Sequence, residues 1–138
     1  MVSPNSNSMC IVCVDDDDDV RSELLEFLLG LELNVRAFRS AREALADIVS
    51  DPTITVLLAD LTMPDMDGLE LLARVQELRS DDAAVEGVIL TGRPTFPLID
   101  GGARHVLHKP VRFKPLLDAL VDAHEAAVAR RQKSRSIA

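Results

Sequence analysis

Aromatic side chains are scarce: phenylalanine alone supplies the 3% aromatic content, and Trp and Tyr are absent. The core must therefore be aliphatic. Positive charge is also in deficit, with 15 Lys and Arg against 23 Asp and Glu and a formal net charge of −8. A nucleic-acid backbone would be repelled unless a local basic face overcame that field, so direct nucleic-acid binding is not expected. No apolar run reaches the roughly 20 residues a bilayer requires, and the stretch from Met1 to Ser8 is polar, without a signal-peptide core. A cytoplasmic protein without membrane contact is the expectation. Only two cysteines occur, Cys10 and Cys13, at a C-x-x-C spacing that can serve redox chemistry or a metal. They lie in the apolar run Cys10-Ile11-Val12-Cys13-Val14, where residues three apart on a strand face opposite ways, so two core thiols are expected.

What is present suits a single soluble domain. The chain has 138 residues, 47% hydrophobic and 28% charged, enough to bury a core without staples. Residues 1–8 read as a loose leader, 9–129 as the domain, and 130–138, with Arg130, Arg131, Lys133 and Arg135, as a solvated basic tail or the start of a linker. Short apolar runs at Cys10 to Val14, Val35 to Phe38, Ile54 to Ala59, Gly87 to Leu90 and Arg104 to His108 read as strands. Between them, helical spacing appears at Val20, Leu24, Phe27, Leu28 and Leu31. It appears again at Leu69, Leu72, Val75 and Gln76, and at Phe113, Leu116, Leu117, Leu120, Val121, His124 and Val128. Ser40 and Glu43 form a capping box, and Asp17 to Asp19 suit a helix N-terminus. Strands alternating with helices predict an α/β fold, a parallel sheet covered on both faces.

Such a sheet carries its functional residues at the carboxyl ends of its strands. The residues found there are Asp15 and Asp16, Asp60, Thr91 and Lys109. Three carboxylates crowded together need compensating positive charge. Mg²⁺, with Mn²⁺ as a substitute, suits an open all-oxygen site better than zinc, since no His or Cys stands nearby. Phosphoryl transfer needs an oxygen nucleophile and positive charge around the equatorial oxygens. Asp60 could attack as a carboxylate, while the metal, the Lys109 ammonium and the Thr91 hydroxyl could each serve a phosphoryl oxygen.

The motifs Val12-Cys13-Val14-Asp15-Asp16-Asp17, Val56 through Asp60 to Gly68, Val88-Ile89-Leu90-Thr91-Gly92 and Leu107-His108-Lys109-Pro110 resemble the receiver domains of bacterial response regulators. The resemblance runs from about Cys10 to Val128. It implies a doubly wound, CheY-like (βα)5 fold with a five-stranded sheet in the order 2-1-3-4-5. It further implies that Asp60 accepts the phosphoryl group. Asp16 would then bind the metal directly, Asp15 through water, and Thr62 through its backbone carbonyl. Thr91 matches the switch hydroxyl, Gly92 the small residue beside it, and Lys109 the lysine that pairs with the phosphoryl group. Pro64, Gly68 and Pro110 are expected to be structural, the last after a cis peptide. The implied partner is a sensor histidine kinase or a histidine phosphotransfer protein, with an unidentified downstream protein target.

Two departures fall on the face that receivers use to signal. The stretch between Thr91 and Lys109 is short by about one helical turn, and it holds Pro94, Pro97 and Gly101-Gly102. A short or missing fourth helix is therefore expected. The family's aromatic switch residue is replaced by Val106, which suggests a phosphate sink, an adaptor or a receiver-like docking module as alternatives. A Mg²⁺-dependent aspartyl-phosphate phosphatase would need a second carboxylate at position 62, where this chain has Thr62. The histidines are expected in surface or packing roles, with His124 half-buried at the edge of the last helix.

Overall fold

The three central apolar runs become strands covered on both faces, and the hydrophilic residue that ends each run is thereby delivered to the sheet's edge. A computed structural model describes residues 9–92 and 102–137. Among them the strands are β1 (Cys10–Val14), β2 (Asn34–Phe38), β3 (Val56–Asp60), β4 (Glu86–Thr91) and β5 (His105–His108). They form one parallel sheet in the order β2-β1-β3-β4-β5. The helices are α1 (Asp18–Gly30), α2 (Ala41–Ser50), α3 (Gly68–Leu78) and α4 (Phe113–Ile137), with a short 3-10 turn at Asp81–Ala83. The short or missing fourth helix of the sequence reading falls on residues 93–101, outside the described residues.

The side-chain alternation of the strands divides the core in two. Val12, Val14, Leu57, Ala59 and Ile89 pack under α2 and α3, whereas Ile11, Cys13, Val56, Leu58, Val88 and Leu90 pack under α1 and α4. Cys10 joins the first layer and Cys13 the second, both buried and free, as expected of core thiols. β1, β3 and β4 are buried throughout, but every residue of β5 is at least partly accessible.

Helix starts follow the capping chemistry of the sequence. Asp17 accepts from the amides of Asp19 and Val20, Ser40 from Glu43, and Asp67 from Glu70, each supplying an acceptor to an otherwise orphaned donor for about 1 kcal/mol.

Several expectations are corrected. Leu31 is the C-cap of α1 and exposed, not a member of its buried stripe, because the helix ends at Gly30. In α3 the buried apolar side chains are Leu71, Leu72 and Val75, so Leu71 takes the place given to half-exposed Leu69. Phe113 stays exposed and stacks on Phe27 with ring centroids 4.1 Å apart. His124 is buried at 1% exposure, its Nδ1 lying 2.8 Å from Thr55 Oγ1. Ala119, Ala123 and Ala127 share its buried side of α4, and their small side chains let the helix approach closely enough to cover the imidazole.

The basic stretch from Arg130 is not a solvated end. It continues α4, a helix of 25 residues and thus roughly 37 Å. Arg130 pairs with Glu86 and Asp81, Arg131 donates to the carbonyls of Ala84 and Ile54, and Ser134 donates to Asp82. Apolar periodicity fades there, but guanidinium forks satisfy main-chain oxygens without it. Among the described residues no helix is long and apolar enough to cross a membrane.

Candidate functional site

The strand register assembles the site. Val14 pairs with Ala59 across β1 and β3, so the next residues, Asp15 and Asp60, leave the sheet side by side. Asp60 pairs with Leu90, which places Thr91 one step further along the neighbouring strand. The ladder then continues past the regular strands: the amide of Leu61 donates to the Leu90 carbonyl at 2.7 Å, and that of Lys109 to the Thr91 carbonyl at 2.8 Å. The backbone under Lys109 is thus tied to β4.

Asp15, Asp16 and Asp60 each present a carboxylate oxygen within 4.8 Å of the others. Asp15 is fully buried and Asp60 is 6% exposed, whereas Asp16 faces solvent. Lys109 Nζ lies 3.0 Å from Asp15 Oδ2 and 3.3 Å from Asp60 Oδ1. The other oxygen of Asp15 accepts the Asp17 amide at 2.9 Å. One ammonium therefore serves a cluster of three acids. Burial and the charge of Asp15 push the Asp60 carboxyl above its ordinary range, against the opposing pull of Lys109 and the Thr62 amide. Burial alone would lower the Lys109 pKa, but the hydrogen bond and charge of Asp15 and the charge of Asp60 outweigh it and raise the value.

The donor set is all oxygen, negatively charged, and open on the Asp16 side, which fits a small hard divalent cation. Thr62 is exposed beside Asp60 in the β3–α3 connection. Thr91 is buried at 1% exposure and Gly92 is exposed beyond it. Pro64 is exposed between buried Met63 and buried Met66. Gly68 returns the chain, its amide donating to the Leu61 carbonyl at 2.9 Å. A Cβ on Gly68 would lie 2.5 Å from the Asp60 carbonyl oxygen, so only glycine fits without displacing the residue that carries the central carboxylate. The Lys109–Pro110 peptide is cis. Val106 is not in the acidic pocket; it is half-buried on β5 and packs against the layer under α2 and α3.

Two residues near the site escaped the sequence reading. Arg21 donates to the Asp15 carbonyl at 2.8 Å and pairs with Asp18. The Asp18 to Arg21 spacing, i to i+3 on a helix, was the available signal. Asp65 accepts from Ser40 Oγ at 3.3 Å and the Arg42 amide at 3.2 Å, tying the loop after Asp60 to the start of α2. His105, by contrast, belongs to a separate surface group, with its Nε2 2.7 Å from Asp122 beside Arg104.

Residues 11–121 match the family described as response regulator receiver domain. The chain is 32% identical over 137 residues to nodulation protein W of Bradyrhizobium diazoefficiens, covering 96% of this chain and 59% of that protein. It is 32% identical over 120 residues to the transcriptional regulatory protein FixJ of Rhizobium meliloti, covering 84% and 57%. The chain thus spans less than two thirds of the length of either relative. Among solved structures, the signal receiver domain of an HD domain-containing protein from Pseudomonas fluorescens Pf-5 superposes with a TM-score of 0.81 at 26% identity, over 96% of this chain and 97% of that one. The CheY-like receiver from Methanospirillum hungatei JF-1 gives a TM-score of 0.76 at 26% identity, over 88% and 97%. Four motifs at the strand ends, a sheet in the order 2-1-3-4-5 and these likenesses agree: the chain belongs to the response regulator receiver domains of two-component signalling.

Proposed function

We propose that this receiver domain accepts a phosphoryl group on Asp60 from a phosphohistidine of a histidine kinase or phosphotransfer protein, in a Mg²⁺-dependent reaction. The observation that carries the reading is the convergence of Asp15, Asp16 and Asp60 on one point with Lys109 bound to two of them. The carboxylates of Asp15, Asp16 and Asp60 and the Thr62 backbone carbonyl would hold the cation, the Asp15 carboxylate through water. When bound, Mg²⁺ supplies charge neutralisation for the carboxylates and the incoming phosphoryl oxygens.

A carboxylate oxygen of Asp60 forms the new O–P bond as the N–P bond of the donor breaks, and the imidazole leaves with the bonding electron pair. No proton has to leave Asp60 when its carboxylate is ionised. Lys109 already spans Asp15 and Asp60, so its ammonium can shift from carboxylate to phosphoryl oxygen with little rearrangement. Thr91 would offer its hydroxyl to a second phosphoryl oxygen and, with Gly92, relay the change to a downstream protein partner. The negative charge of the cluster supports phosphoryl acceptance with a bound cation more than nucleic-acid contact, and a histidine kinase partner implies a cytoplasmic setting.

A second reading has its own support. Val106 stands where the family's aromatic switch residue would be and packs into the α2 and α3 layer, which favours a phosphate sink or docking module that signals by another route. The test is intact mass after incubation with Mg²⁺ and a small phosphodonor. One added phosphoryl mass is expected, absent in Asp60→Asn and in excess chelator. Added mass that persists in Asp60→Asn would defeat the assignment.

A further inference from the structure

Asp16 differs from its two neighbours in the cluster. It is exposed, and among the described residues its carboxylate takes no hydrogen bond or ion pair. The backbone alone therefore fixes where its Cβ points. The peptide joining Asp15 to Asp16 is gripped at its carbonyl oxygen by Arg21 Nη1, 2.8 Å away. Upstream, the Asp15 amide is fixed by the Phe38 carbonyl at 3.2 Å; downstream, the Asp17 amide is fixed by Asp15 Oδ1. Arg21 is braced in turn, its side chain only 19% exposed and paired with Asp18, which also accepts from Arg39 Nη2 at 2.8 and 3.1 Å. A chain of contacts thus runs from the β2–α2 connection through α1 to the peptide that aims Asp16.

We propose that Arg21 is a positioning residue for the metal-holding carboxylate of Asp16, acting through the Asp15–Asp16 peptide; this rests on the reading of the acidic cluster as a cation site. Two effects of Arg21 on a bound cation have opposite signs. As a positive charge bound to the backbone of the acidic cluster it disfavours a second cation, so on Coulomb grounds its removal tightens binding. As the donor that fixes the peptide it favours binding, so on positional grounds its removal weakens binding. Orientation dominates because residues that orient ligands typically alter metal affinity by about 10-fold or more, whereas the charge of the guanidinium is already offset by its pair with Asp18.

The full chain is titrated with Mg²⁺ alone by calorimetry and with Mn²⁺ by loss of its free-ion EPR signal, beside melting curves in chelator. Arg21→Gln is expected to weaken both ions about 10-fold while melting cooperatively. Arg21→Lys, which keeps the charge but not the fork, falls between it and the parent. In phosphodonor assays the shift lies in the half-saturating Mg²⁺ concentration and not in the rate at saturation. Unchanged or tighter binding in folded Arg21→Gln overturns the proposal. If neither Arg21 variant folds, Asp18→Asn decides: it removes the brace and must weaken Mg²⁺ by a smaller factor, and unchanged affinity there overturns the proposal equally. Failure of the parent chain to bind either ion or to gain phosphoryl mass would instead remove the receiver chemistry itself, a distinguishable result.

Discussion

The two ends of one sheet are finished with opposite charges, and they handle them in opposite ways. At the amino end of β3 and β4, Arg79 donates to the carbonyls of Ile48, Asp51, Pro52, Ile54 and Ala83, and Arg131 donates to Ala84 and Ile54. These cations close the C-terminus of α2 and the entry into two strands, where carbonyl groups are in surplus. Burial lowers both arginine pKa values, with the charge of Asp51 partly offsetting this at Arg79, yet their donors are matched to acceptors. At the carboxyl end, two of three clustered carboxylates share one ammonium, and Asp16 has no partner among the described residues. A structural edge satisfies its polar groups internally; an edge that works on a ligand leaves charge unresolved, and the fold must tolerate the strain.

The largest effect expected from perturbing either edge is at Gly68. Gly68→Ala drives a Cβ against the Asp60 backbone carbonyl, which cannot swing aside as a side chain could, and should cost about 3 kcal/mol in urea unfolding while lowering phosphoryl acceptance. A variant as stable and as reactive as the parent would show that the loop can yield. At the amino edge, Arg79→Ala leaves several carbonyls to whatever water can reach them and should cost about 2 kcal/mol, without changing the Mg²⁺ concentration that half-saturates phosphorylation. An equal loss of metal response would mean that the two ends are coupled. Smaller, and opposite in sign, is Asp60→Asn in chelator. Removing one of three like charges should raise stability by about 1 kcal/mol, the scale of two unit charges about 4 Å apart in water. A lower melting temperature would show that the Lys109 pair outweighs the repulsion.

Those residues were not equally legible in the sequence. The strands ended at recognisable polar residues, so Asp15, Asp60, Thr91 and Lys109 could be placed on one edge before any register was known. Asp17 and Ser40 followed from local capping rules too, and the cis peptide before Pro110 from the family resemblance. Arg79 and Arg131 could not be read this way, because their acceptors are main-chain oxygens up to 77 positions away, which have no side-chain signature. The final helix was cut short at Arg130 for the same reason: periodicity counts apolar residues, and the last turns are held by guanidinium and hydroxyl groups. His124 was misjudged because its burial depends on the smallness of three alanines, which a hydrophobic stripe does not register. Arg21 was overlooked because an acidic run draws attention to its charges, while the peptide it holds is silent.

Acid should finally separate the two edges by sign, as the smallest of these effects. Asp51, at the amino edge, is held down to about 2 by Thr53 and Arg36, below its ordinary 3.8. Its contribution to stability is fully present above 3.8 and is lost as pH falls toward about 2. Asp60 is raised above 3.8, so the folded state takes up a proton more readily than the unfolded one. Its ionised form therefore weakens the fold at neutral pH, and that penalty fades as pH falls through the raised value toward 3.8. Urea unfolding in chelator across this range should give a curve whose upper limb flattens in Asp60→Asn and whose lower limb flattens in Asp51→Asn. Should Asp60→Asn instead leave the upper limb unchanged, Lys109 would be neutralising the pocket without help, and a divalent cation would have correspondingly less repulsion to relieve.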